Sequence, residues 1–186
     1  MGIATFLAWL GGTPWSVALH ESQYVWPFTE SLHVLTIALF AGSTIMLDLR
    51  LLGLAFTALP VTALTGKLLP WTRASFAVMV VTGVLLFYAT PLTYWHSVFF
   101  RIKTLLLVVA GVNVFVFHAR TLHGVEAWAG AARLPRGARV AATVSLLSWA
   151  GVIVSGRLIA YNWFDCDLHE QPAFINWAAG CPVVAP

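Results

Sequence analysis

Five ionisable side chains stand out in an otherwise apolar chain: His33, His96, Lys103, His118 and Arg157. A neutral imidazole is the common axial ligand of haem iron and also suits copper, while lysine and arginine hold carboxylates or other anions. Inside a membrane such groups are costly, and each one there marks a ligand, a proton path or a counter-ion unless a neighbouring helix simply satisfies it. Whether these residues can act together depends on the depth and face at which the chain carries them.

The chain carries them on membrane helices. Of 186 residues, 60% are hydrophobic and only 9% charged, with nine Trp and a mean hydropathy of +0.85, against roughly 25% charged in an ordinary soluble domain. This composition predicts an all-α, polytopic membrane protein, a single domain with room for about four spans of ~20 residues. The spans are expected at about 26–53, 71–93, 98–119 and 139–164. Pro27 suits the first turn of span one, and Pro60 and Pro70 read as punctuation of a loop or interfacial helix before span two. The first 25 residues, with no Lys or Arg and a Gly11-Gly12-Thr13-Pro14 turn, read as an aromatic-rich interfacial helix capping one end of the bundle.

Charge orients the bundle. Arg50, Lys67 and Arg73 lie between spans one and two, and Arg120, Arg133, Arg136 and Arg139 lie between spans three and four. The positive-inside rule makes both regions cytoplasmic, so the termini face the periplasm of a bacterial inner membrane. Cys166 and Cys181 both fall in the tail 165–186, and in that oxidising compartment a disulfide closing the tail is expected. A ~15-residue loop closed in this way gains about 3 kcal/mol in the loop-entropy model. Metal binding by Cys166, Cys181 and His169 is the alternative.

Depth then sorts the candidates. His33 lies about two turns inside span one, His96 closes span two on the same side, Lys103 opens span three there, and Arg157 precedes the end of span four. These four can converge near the periplasmic side. His118 lies about 15 residues beyond Lys103, some 22 Å deeper at ~1.5 Å per residue, and cannot share an ion with His33. At 100° per residue Thr29, Thr36, Phe40 and Thr44 share the face of His33, with Glu30 and Asp48 at its edge. Ser145, Ser148 and Gly156 of span four, with Thr82 and Gly83 of span two, read as close-packing residues.

This arrangement fits a b-type haem: His33 as axial ligand, His96 as its partner, Phe40, Phe87 and Trp149 as walls, and Arg101, Lys103 or Arg157 at the propionates. Gly42, Gly83 or Gly156 would give the ring room, and a second haem near His118 and His123 would complete a transmembrane electron path. Partners would be membrane lipid and a redox protein or quinone, with membership of a larger complex or a homo-oligomer, and no nucleic acid. The alternatives are a haem-free accessory or anchor subunit, a porphyrinogen oxidase needing a lateral opening wide enough for a tetrapyrrole, or a copper-handling protein using His33, Met79 and His96.

The motifs ESLHVLTIALFAG, Thr82-Gly83 and FRIKTLLLVVAGVNVFVFH resemble those of HemJ-type protoporphyrinogen oxidases and CopD-type copper-resistance domains. WPFTESLHVL, DLRLLG, LPWTRASF and KTLLLVVAGVNVFVFH more closely resemble an uncharacterised bacterial family of four-span proteins. The HemJ-type resemblance implies a haem-binding histidine and a functional lysine at His33 and Lys103. The CopD-type resemblance, through Lys103 and Asn113, implies copper. The chain departs from both, having only three Met and a two-cysteine tail.

Overall fold

A computed structural model describes residues 2–120, 125–131, 134–161, 172–179 and 181. The described residues form helices α1 (Ile3–Gly11), α2 (Pro14–His20), α3 (Val25–Leu52), α4 (Val61–Ala89), α5 (Pro91–His96), α6 (Val98–Arg120), α7 (Val125–Trp128), α8 (Arg136–Ile159) and α9 (Ala173–Ala179). Four of these, α3, α4, α6 and α8, are long and apolar enough to cross a membrane, which makes this a multi-pass membrane protein. Large apolar side chains such as Leu35, Val84, Val112, Phe115 and Leu147 are exposed on their outer faces, as lipid contact requires.

The second span departs from expectation. It begins at Val61 rather than Trp71, and Pro70 lies inside it. Proline costs one backbone bond, to the carbonyl of Gly66, but that loss falls in the first third of a 29-residue helix whose ~43 Å length exceeds the hydrocarbon thickness. Pro60, at φ −59° and ψ 144°, occupies the N-cap and is the true boundary. Lys67 and Arg73 therefore ride on a helix instead of a loop. The fourth span runs from Arg136 to Ile159, three residues earlier at its start than expected. Most of the tail, with Cys166 and His169, and also His123, lies outside the described residues.

α3 packs along both α4 and α8, and α8 packs along α6. The core at mid-span is Phe40, Met79, Ala110, Trp149 and Val152, in which the Phe40 ring meets Trp149 edge-on at 4.6 Å. At Gly151 the α6–α8 approach is close enough that an added Cβ would meet Leu106 Cδ1 at 2.6 Å. α4 and α6 form no comparable interface, and a cleft lies between them.

Short helices seal the end of the bundle where α3 begins. Ser16 of α2, fully buried, donates its hydroxyl to the carbonyls of Tyr88 and Ala89 at 2.8 and 3.1 Å, capping the C-terminus of α4. Arg101 at the start of α6 donates to Ala178 O and Ala179 O at 2.6 and 2.8 Å, which caps α9, and lies over the Trp95 ring.

The opposite end depends on Arg50. It is 3% exposed, and it donates from Nε to Leu59 O at 2.6 Å and from Nη2 to Ala129 O at 3.2 Å. Ala129 O also accepts from Val61 N at 3.0 Å, so one guanidinium ties the α3–α4 and α6–α8 connections together. Gly53 lets the chain leave α3 in the left-handed region at φ 76°, so that Leu54 N can return to Leu49 O. Charge-assisted bonds of this kind contribute about 1.5–3 kcal/mol each. Arg50→Gln is expected to lower the free energy of reversible unfolding in mixed micelles by about 3 kcal/mol, and a loss below about 1 kcal/mol would contradict this role.

Candidate functional site

The cleft between α4 and α6 has a volume of about 800 Å³ and is floored by α3 and α8, within the ~300–1,000 Å³ range of small-molecule pockets. It reaches from His33 and Lys103 at one end to Asp48, Asn113 and His118 at the other. Its sides are apolar and aromatic, with Phe40, Phe76, Phe87, Phe100, Phe117 and Trp149 among the lining residues. At the His33 end the gap is bridged by rings: Phe87 stacks on Phe100 with centroids 5.5 Å apart, and Tyr94 of α5 packs on Phe100 at 5.3 Å. Burial, with the Glu30 carboxylate adding to it, pushes the Tyr94 phenol above its ordinary range, so it stays neutral.

His33 is tied to α4. Its Nδ1 lies 2.8 Å from Thr82 Oγ1. The single hydroxyl hydrogen of Thr82 has acceptors on its own helix, Val78 O at 2.8 Å and Met79 O at 3.1 Å, as well as in Nδ1. When it returns to its own helix, Thr82 Oγ1 accepts from Nδ1–H and Nε2 keeps the lone pair, the usual arrangement of a ligating histidine whose other nitrogen donates to a supporting group. Gly83 suits the close approach, because a Cβ there would stand 3.2 Å from His33 Cε1 and press the ring back by a few tenths of an ångström.

Lys103 lines the same end from α6, with Nζ 3.5 Å from where a Cβ on Gly156 would stand. His33 and Lys103, expected to converge, both line this end, and Phe40, Phe87 and Trp149, expected as walls of a haem, line the cleft. Of the three glycines expected to give room, Gly83 and Gly156 border this pair, whereas Gly42 has nothing within 4 Å.

Other candidates are not brought there. His96 sits at the end of α5, outside the cleft lining, because Thr90 at φ −139° and ψ 62° breaks the helical path and Pro91 starts a separate short helix. Arg157 is exposed and donates to Tyr161 Oη at 3.2 Å along its own helix. Arg101 is committed to α9. The copper set His33, Met79 and His96 is therefore not assembled, since only His33 and Met79 line the cleft. Among the described residues no three His, Cys, Asp or Glu side chains cluster closely enough to hold a metal ion.

His118 lines the far end, with Nδ1 donating to Val114 O at 2.9 Å. Sequence reasoning missed two residues: Thr82, read as packing, and Asp48, placed only at the edge of the His33 face. Thr82-Gly83 lies about two turns from the end of α4 at the depth of His33, which is the signal that could have paired them.

Fold and cleft together define a multi-pass membrane protein with four helices able to span a bilayer and a laterally open, ligand-sized cleft between two of them. The chain belongs to the DUF6644 family of unknown function, whose model matches residues 4–162. Neither a curated protein nor a solved structure matches it.

The tautomer is directly measurable. Nitrogen-15 NMR of histidine-labelled protein in micelles is expected to show His33 protonated at Nδ1 and bare at Nε2, with the signal of that tautomer lost or mixed in Thr82→Val. A predominantly Nε2-protonated His33 would refute the assignment.

Proposed function

We propose that the protein binds one b-type haem at the His33 end of the cleft and passes electrons between a periplasmic redox partner and quinone or another membrane subunit. The observation that carries this reading is His33, whose Nδ1 lies 2.8 Å from Thr82 Oγ1 on the wall of an aromatic cleft; with Nδ1–H donated to Thr82, the Nε2 lone pair is available to a ligand. The residues fit the group: imidazole for iron, flat rings for the macrocycle, and the Lys103 ammonium for a propionate. Bound haem would supply one-electron chemistry, with its potential tuned by ligation and burial. Thr82 orients the ligand, Gly83 gives it space, and Phe87 with Phe100 shields that end from water.

The same support extends to finer features. Lys67, Arg73, Arg136 and Arg139 lie toward the Asp48 end, which favours placing that end in the cytoplasm and both termini in the periplasm of a bacterial inner membrane. A Cys166–Cys181 bond would then close the tail. A second haem at His118 is not part of the proposal.

One observation favours a second reading. The cleft opens sideways between α4 and α6, as access for a lipid-soluble tetrapyrrole substrate would require, and with the HemJ-type resemblance this supports a porphyrinogen oxidase using the same face.

Purified protein is expected to show a Soret band and α-band in the dithionite-reduced minus oxidised spectrum, with about one iron per chain. His33→Ala should abolish the spectrum, Thr82→Val should weaken haem retention by about 10–100-fold, and His118→Ala should leave it unchanged. Absence of iron and of the Soret band sinks the haem reading; consumption of protoporphyrinogen by the purified protein promotes the second.

A further inference from the structure

The Asp48 end of the cleft holds an acceptor that the bundle leaves unanswered. Asp48 is only 7% exposed, it lines the cleft, and its Oδ2 has no hydrogen-bond partner. The hydroxyl of Ser145 on α8 lies against the same carboxyl group. A buried carboxyl oxygen without a donor is costly in a low-dielectric interior, and such sites recur where a ligand completes the bonding.

Most of the neighbouring polar hydrogens are already used. Thr44, one turn earlier on the same face of α3, turns its hydroxyl to Phe40 O and Ala41 O at 3.1 and 3.0 Å. Thr72 turns its own to Leu68 O at 2.9 Å, one N–H of Asn113 Nδ2 donates to Ala141 O at 2.9 Å, and His118 Nδ1 donates to Val114 O. All four line the cleft. Among them only the second Nδ2–H of Asn113 is left as a donor, and Arg73, the cation lining this end, is exposed. The missing complement is an O–H donor on an apolar body, small enough to slip between α4 and α6.

We propose that the Asp48 end is a binding site for a lipid-soluble phenol or hydroquinone, whose ring hydroxyl donates to the Asp48 carboxyl group, rotated so that its unanswered oxygen meets the cleft, while its ring lies between Phe76 and Phe117. These two rings line the cleft from α4 and α6 and supply flat apolar walls that a hydrated cation would not need. Asp48 follows His33 by fifteen residues of one helix, some 22 Å, so the site does not compete for His33 and stands whether or not haem binds there.

The test compares para-nonylphenol with its methyl ether, which keeps ring and tail but lacks the O–H. Calorimetric titration of the full-length protein in detergent is expected to give about tenfold or more tighter binding of the phenol, since a site built to accept a hydrogen bond rejects the analogue without the donor. Asp48→Leu should erase that preference while keeping the ether's affinity, and Asp48→Asn, nearly isosteric, should reduce it at least threefold and serves as the deciding variant if the leucine protein does not fold. His33→Ala should leave the preference intact, which separates this site from the haem reading. Equal affinity for phenol and ether, binding of neither, or a preference unchanged in both Asp48 variants overturns the proposal.

Discussion

In a hydrocarbon interior every backbone and side-chain donor must find its acceptor inside the protein, and this constraint shapes the whole bundle. Thr29, Thr36, Ser43, Ser75 and Thr82 all return their hydroxyl hydrogens to carbonyls of their own helices. Such residues become small, nearly apolar surfaces that let α3 approach α4 and α8 closely. A hydroxyl bonded in this way is left as an acceptor. At Thr82 this arrangement would accept from His33 Nδ1 and so set which nitrogen of His33 carries a proton.

The constraint also accounts for the bundle's shape. Three of the four long helices' possible lengthwise contacts are made by α3 with α4, α3 with α8, and α6 with α8. Where α4 and α6 would close the ring, large side chains stand apart, and the seam is bridged at one end by Phe87 and Phe100. The two ends of the bundle are secured by arginines that cap chain segments distant in sequence, Arg101 on α9 and Arg50 on both connections at the other end. These arginines bond main-chain carbonyls, so they fix the scaffold and leave the cleft's chemistry to His33, Lys103 and Asp48.

Much of this was legible in the sequence, for physical reasons that differ by residue. Span number follows from runs of apolar residues against bilayer thickness, and the His33–Lys103 pairing follows from helical rise and depth. The start of α4 was hidden because proline and lysine normally signal a break, yet near the end of an over-long helix both are tolerated. Depth alone puts His96 beside His33, while the turn at Thr90 and Pro91 carries it sideways onto α5. Asp48 and Arg50 look alike in the sequence, two charges near a helix end. Their division of labour, one unanswered in the cleft and one saturated with carbonyls, depends on tertiary contacts with Ser145, Leu59 and Ala129 that no local pattern encodes.

The lack of a lengthwise α4–α6 interface has a thermodynamic consequence. A cleft that opens sideways exchanges with the acyl-chain phase, so whatever occupies it competes with lipid rather than with water. Its occupancy is set by a mole fraction in the bilayer: a molecule scarce in the cytoplasm but strongly partitioned, at about 0.8 kcal/mol per buried methylene, reaches the cleft at high local concentration. Selectivity then falls to the few polar groups, because the apolar body of any such molecule gains almost nothing by moving from lipid to the aromatic wall.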